Sequence, residues 1–181
     1  MFQIEYEILD CEIKRISIVN DLYEFENDLN TIVGQIQLKF NGREEGFVDR
    51  DIPYEGEFLI TWVQLLNEAI VYLKEYGFAT IFKPDSDNIW FEFALHDNIV
   101  EVSKIRAEKQ KLVPNMIEKV PHAQSEFFWS EFVTIEEFYE TILTVSEKLL
   151  KHIGSINKLI LDSRELIKLK EKLNDIKKIQ F

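Results

Sequence analysis

Three groupings in this 181-residue chain have residue types and spacings that could do chemistry. Asp85-Ser86-Asp87-Asn88 begins like a calcium loop, in which alternating carboxylates wrap a hard cation. The sixth position of such a loop needs glycine and holds Trp90, and the twelfth needs a bidentate Glu and holds His96. A turn is the simpler reading, and the same holds for Asp49 and Asp51 in VDRDIP, which lack a third oxygen donor close in sequence. Glu92 and Glu101 fall on one predicted sheet face, with Glu131 placed to join them. Carboxyl groups held about 5–10 Å apart cleave glycosidic bonds when one of them has a raised pKa. Raising it takes a dry pocket, and a sheet face is flat, so these side chains suit a charged contact surface better.

His96, beside Asp97, is the best-placed general base, although a polar residue at a turn edge has the same sequence. His122 and His152 stand far from it, and none of the three lies in HExxH or beside a cysteine, so no metal site is expected. GxSxG, Walker and GxGxxG motifs are missing, and six glycines are too few for a phosphate cradle, so no cofactor is expected either. The reading is non-enzymatic. Cys11 is the single cysteine, which rules out an internal disulfide, suits a reducing cytosol, and reads as a small core or edge residue. The N-terminus MFQIEYEILDCEIKR is too acidic for a signal peptide, and no apolar run approaches the roughly 20 residues of a bilayer span. A cytoplasmic protein without a membrane partner is the expectation.

Charge divides the functional classes further. Lys and Arg number 21 against 33 Asp and Glu, a net −12. Residues 147–181 carry 9 basic and 5 acidic side chains, and the preceding residues carry 12 and 28. An acidic body repels nucleic acid and attracts basic proteins, or else simply keeps the chain soluble. The lysine-rich tail has no stacking platform beside it and reads as a solvated helix, not an RNA site.

The elements that must position these residues follow from periodicity. FQIEYEI alternates as a half-buried strand, CEIKRISIV continues or pairs with it, and NDLYEFENDLN is a polar connection. TIVGQIQLKF puts Ile32, Gly34, Ile36, Leu38 and Phe40 on one face and ends at Asn41-Gly42, a hairpin turn that sets Lys39 opposite Glu44 in REEGFVDRD. FLITWVQLLNEAIVYLKEY carries an apolar stripe at three- and four-residue steps and stops at Gly77. FATIFKP, IWFEFALH and IVEVSKIRA are strands. A turn at Asp97-Asn98 pairs Leu95 with Val100, Phe93 with Val102, Phe91 with Lys104, Trp90 with Ile105, Glu92 with Ser103 and Ala94 with Glu101. KQKLVPNMIEKVPHAQ is a loop, SEFFWSEFV a strand, and Thr134 caps a helix that Gly154 ends. Asp162 opens a last helix whose Leu166, Leu169, Leu173 and Ile176 form a narrow seam at heptad spacing, burying one partner helix from this chain or from a second copy.

The predicted fold is α+β: an antiparallel sheet packed on one central amphipathic helix, with two C-terminal helices. Residues 1–153 form the core domain, and residues 154–181 pack on it or on a second subunit.

The succession GQIQLKFNGREEGFVDRD, FLITWVQLLNEAIVYL, KPDSDNIWFEFAL, IVEVSKIRAE and EFFWSEFV, closed by a helix, resembles the WapI-type immunity proteins. These are small acidic cytoplasmic proteins that neutralise the toxic tip of a wall-associated bacterial toxin. The likeness covers about two-thirds of the chain as a pattern of elements. Pro84 is set apart from its strand by four inserted residues, Trp62 lies early in its helix where the family's tryptophan comes late, and residues 154–181 have no counterpart. The resemblance implies a binding protein that occludes a basic, nuclease-type partner. Glu92, Glu101 and Glu131 would supply charge, and Trp90 and Trp129 would be the anchors. In SEFFWSEF, Trp129 and Glu131 are assigned to the partner side and Phe128 and Phe132 to the core side. The competing expectations are that the C-terminal segment or a second subunit covers both tryptophans, and that the chain is a structural module dimerising through its last helix.

Overall fold

The computed structural model describes residues 1–27, 30–52, 56–84, 86–108 and 116–181. Asp85, and residues 109–115 of the expected loop, lie outside the described residues. The chain is α+β, but with two antiparallel sheets where one was expected. In the first, β1 (Phe2–Ile8) pairs with β2 (Val33–Phe40), which also pairs with β3 (Arg43–Gly46) and β4 (Glu57–Phe58). The second runs β8-β5-β6-β7-β9. It is built from β5 (Phe78–Phe82), β6 (Ile89–His96), β7 (Ile99–Ala107), β8 (Ile117–Glu118) and β9 (Gln124–Thr134).

Asn41 and Gly42 both take positive φ, as a two-residue hairpin turn requires, and Lys39 sits opposite Glu44. The ammonium of Lys39 turns instead to Glu5 on the other neighbouring strand, 3.0 Å away. The expected return strand stops early, at Gly46, where φ is 73° and an added Cβ would lie 2.1 Å from the Ile36 carbonyl oxygen.

CEIKRISIV is not a strand. Residues Asp10–Ser17 form helix α1, with Asp10 and Glu12 in its first turn and Lys14 and Arg15 in its last, each sign matched to the helix dipole. Cys11 lies exposed on this helix and is not part of the core. Glu12 then ties the helix down, because its carboxylate takes two hydrogen bonds of 2.7 Å from Arg15 and one of 3.0 Å from the Val33 N–H. The next polar stretch also holds a short helix, α2 (Leu22–Asn27), whose Phe25 is buried.

Helix α3 (Leu59–Tyr76) runs as the periodicity requires and ends at Gly77 with φ of 71°. Helix α4 (Ile135–Ile156) begins at Thr134, whose hydroxyl accepts the Glu137 N–H at 3.2 Å. Glu137 does not reach back to complete a capping box; it accepts the Phe2 N–H at 2.7 Å and joins α4 to β1. Gly154 does not end α4. It is a contact point, since an added Cβ would lie 2.9 Å from a Leu161 methyl, so the following 3-10 turn, Lys158–Asp162, packs closely there. Helix α5 (Arg164–Ile176) is preceded by Ser163 at the cap position in place of Asp162.

Leu166, Leu169, Leu173 and Ile176 are buried within the chain as part of its main core, against α3 and α4. They are therefore not an oligomer interface. Rings carry the core from layer to layer: Phe40 stacks on Phe2 (4.6 Å between centroids), Phe2 on Phe138 (5.2 Å), and Phe138 meets Phe93 (5.3 Å). Among the described residues no helix is long and apolar enough to cross a membrane.

Candidate functional site

Every one of the six expected β6–β7 pairs is present, from Trp90 with Ile105 to Leu95 with Val100. Alternation then sorts the second sheet into two faces. Phe91, Phe93, Val100 and Val102 turn inward to the helices and are buried. Trp90, Glu92, Ala94, Glu101, Ser103 and Ile105 turn to the opposite, outer face. The partner surface expected from sequence lies on this face, and part of the face is already occupied by the chain itself.

The occupant is the connection from β8 to β9. Strand β8 pairs with β5 at one edge of the sheet and β9 pairs with β7 at the other, so residues 119–123 must cross the outer face. His122 lies with its ring 4.0 Å from the Trp90 ring, and its backbone N–H donates to Glu92 at 3.0 Å. The Gln124 amide donates to the second Glu92 oxygen at 3.3 Å. Glu118, on β8, faces the His122 imidazole at 3.5 Å. Trp90 is 0% exposed: Phe82 meets it edge-on, and its indole N–H donates to Asn88 at 3.1 Å. Trp90 and Glu92 are thus removed from the expected partner surface, because a segment without periodicity covers them. Burial raises the Glu92 pKa from its ordinary value of 4.5, against the pull of the two hydrogen bonds.

Trp129 and Glu131 are also displaced, by a different cause. The pairing of β9 with β7 slips between Lys104 and Ile105: Trp129 lies opposite Lys104, yet Phe127 lies opposite Ile105. Phe128 is the extra residue of a β-bulge. Trp129 lies on the C-terminal side of that slip, in the unbroken register that sets Val133 opposite Val100 and Glu131 opposite Val102, and this register puts it on the inner face with Lys104 and Phe91, half-buried against the rings of Phe91 (6.2 Å) and Phe40 (5.8 Å). Glu131, two residues on, lies on that same inner side and pairs with Arg43 of the β2–β3 hairpin at 3.6 Å. Phe132 is not core; it is 53% exposed, on the outer face.

Of the five partner residues expected from sequence, Glu101 alone keeps its place on an open part of the outer face. Its carboxylate meets His96 at 3.4 Å, across the hairpin, so His96 is oriented by Glu101 and not by Asp97. Sequence reasoning missed Phe127, 57% exposed, which the bulge sends outward to join Phe132 and Glu101. Phe128 is exposed on the other flank, with Lys104 and Arg106 over its ring at 5.3 and 5.6 Å. Arg106 also pairs with Glu126 at 2.7 Å. The run of aromatics in SEFFWSEF was the signal; the bulge that turns Phe127 outward leaves no local mark.

The other chemical groupings do not assemble. Asp49 accepts the Asp51 N–H at 2.9 Å in a turn. A cavity of about 360 Å³ beside it is lined by Glu7, Asp10, Gln35 and Arg50. Gln35 is held on both sides there, by the Ile52 carbonyl and the Asp49 N–H. Among the described residues no group of three or more His, Cys, Asp or Glu could hold a metal. Comparison of the chain with protein-family models, with curated proteins and with solved structures gives no match.

Proposed function

We propose that this chain is a non-enzymatic acidic binding protein that occludes a basic protein, in the manner of the immunity proteins it resembles acting on a nuclease-type toxin domain. One observation carries the reading: Phe127 and Phe132 stand more than half exposed on the outer face of β9, Phe132 opposite Glu101, at the edge of an open sheet, in a chain of net charge −12. Large exposed apolar side chains grouped together and rimmed by charge are the ordinary makings of a protein interface. Dense carboxylates speed the encounter, and a few aromatic anchors hold the complex. The exposed free thiol of Cys11 is in keeping with a reducing, cytoplasmic setting.

The test is affinity capture of the tagged protein from its own cells. It is run at low salt and again at about 1 M salt, where the screening length falls to about 3 Å. A basic protein retained at low salt, released at high salt, and lost with the Phe127→Ala/Phe132→Ala variant supports the reading. Both substitutions are at exposed positions, so stability should stay within about 0.5 kcal/mol of the parent. Recovery of the chain alone, or retention that neither salt nor the phenylalanines affect, overturns it.

A further inference from the structure

Away from the outer face of the second sheet, the starts of α3 and α5 meet the chain ahead of β2 around a cavity of about 330 Å³. Asn30, Thr31, Phe58, Ile60, Thr61 and Glu165 line it. We infer that this cavity is a binding site for a neutral, hydroxyl-rich small molecule, of about the size of a single sugar ring. Two observations of different kinds point to an occupant. The first is polar atoms with nothing to bond. Thr31 is 9% exposed, and among the described residues neither its hydroxyl oxygen nor the buried Asn30 side-chain oxygen has a hydrogen-bond partner. Buried polar atoms in folded proteins are bonded to protein, to water or to a bound molecule, so two adjacent exceptions on one cavity wall call for an occupant. That wall is fixed, because Arg15 donates to the Thr31 carbonyl at 2.8 Å. The second observation is the start of α3, a helix of 18 residues. Phe58 stands at its cap position and makes no capping bond, and the Ile32 carbonyl takes the Leu59 N–H at 3.0 Å. The N–H groups of Ile60 and Thr61 come too early in the helix to find acceptors within it.

Charge decides the class of ligand. Among the described residues no Lys, Arg or His lines the cavity, so an anion would gain the α3 dipole on one side and meet the Glu165 carboxylate on the other. A cation fares no better. Glu165 is already paired with Lys168 at 2.7 Å and accepts the Gln64 amide at 3.3 Å, and the start of a helix repels positive charge. What fits is an uncharged molecule that donates and accepts at once. The Asn30 oxygen needs a donor, the N–H groups of Ile60 and Thr61 need acceptors, and the hydroxyls of Thr31 and Thr61 serve as either. A hydroxyl group answers all of these without charge. Phe58 and Ile60 supply the apolar wall against which the C–H side of a ring can lie, and the volume falls at the small end of the range for ligand pockets.

The experiment is an NMR titration of the isotope-labelled full chain, following the backbone amides of Ile60 and Thr61 and the side-chain amide of Asn30. The neutral probes are glucose, galactose and myo-inositol, and the charged controls are glycine and inorganic phosphate. The expected result is saturable movement of these signals with at least one neutral probe, at a Kd of about 1 mM or tighter. Neither control should move them. Thr31→Val removes the orphaned hydroxyl, so the free variant should melt no lower than the parent while its affinity for the neutral probe falls at least about fivefold. Should that variant not fold, Thr61→Val, at a half-buried position in the first turn of α3, is read for the same loss of affinity. No saturable movement with any of the three neutral probes means that the cavity holds water alone, and overturns the site. A stronger response to glycine or phosphate, or parent-like affinity in the folded variant, overturns it as well.

Discussion

Glu92 accepts one hydrogen bond from the His122 backbone, in the segment that crosses over it, and one from the side chain of Gln124, where that segment enters β9. The burial raises its pKa, so the folded chain holds the protonated form more firmly than the unfolded chain does. The stability this contributes is fully present below the ordinary carboxylate value of 4.5 and is lost as pH rises through the raised, folded value. Near neutrality the ionised Glu92 is a standing cost, partly offset by its two donors. Glu92→Gln removes the titration and keeps a carbonyl for the His122 N–H. The parent should therefore lose stability, relative to this variant, as pH is raised from the carboxylate range toward neutrality. Urea unfolding of both proteins over that range measures the difference, and parallel pH profiles would show that Glu92 does not feel its cover.

At the scale of elements, Gly34 shows how closely β2 is held between its neighbours. An added Cβ would lie 2.3 Å from the Glu7 carbonyl oxygen of β1 and 2.5 Å from a Leu59 methyl at the start of α3. Backbone on one side cannot give way, so Gly34→Ala should destabilise by about 1–3 kcal/mol, read as a lower urea midpoint at unchanged slope. Parent-like stability would mean that β1 and α3 separate freely. The elements legible in the sequence are those whose own residues settle the outcome. Asp97-Asn98 fixes the β6–β7 register, Asn41-Gly42 turns β2 into β3, and the stripe of α3 runs on to a glycine that stops it. Elements settled by distant partners were not legible. CEIKRISIV suits either period until Glu12 finds the Val33 N–H, and Phe128 becomes a bulge only through its pairing with β7. That single slip turned Phe127 outward, while the unbroken register from Val133 to Trp129 set Trp129 and Glu131 inward. The cover on Trp90 and Glu92 comes from a stretch with no period to read.

For the molecule as a whole, the uneven charge of the sequence has a partner inside the chain. Cations of the basic tail meet anions of the acidic body: Lys172 with Glu68, and Arg164 with Glu26 at 3.3 Å. Such exposed pairs contribute little energy, and they orient α5 more than they hold it. Holding is done by the seam, where Leu166, Leu169 and Ile176 are fully buried and Leu173 nearly so. Leu169→Ala should lower the unfolding free energy by about 2–5 kcal/mol, the range for a leucine removed from a close-packed core. The decisive control is concentration. A seam closed within one chain gives a melting temperature that stays constant over about a hundredfold range of protein concentration, in parent and variant alike. A seam closed between two chains gives one that climbs with concentration. Constancy in both proteins, with the variant melting lower, is the outcome that packing of α5 on its own α3 and α4 requires.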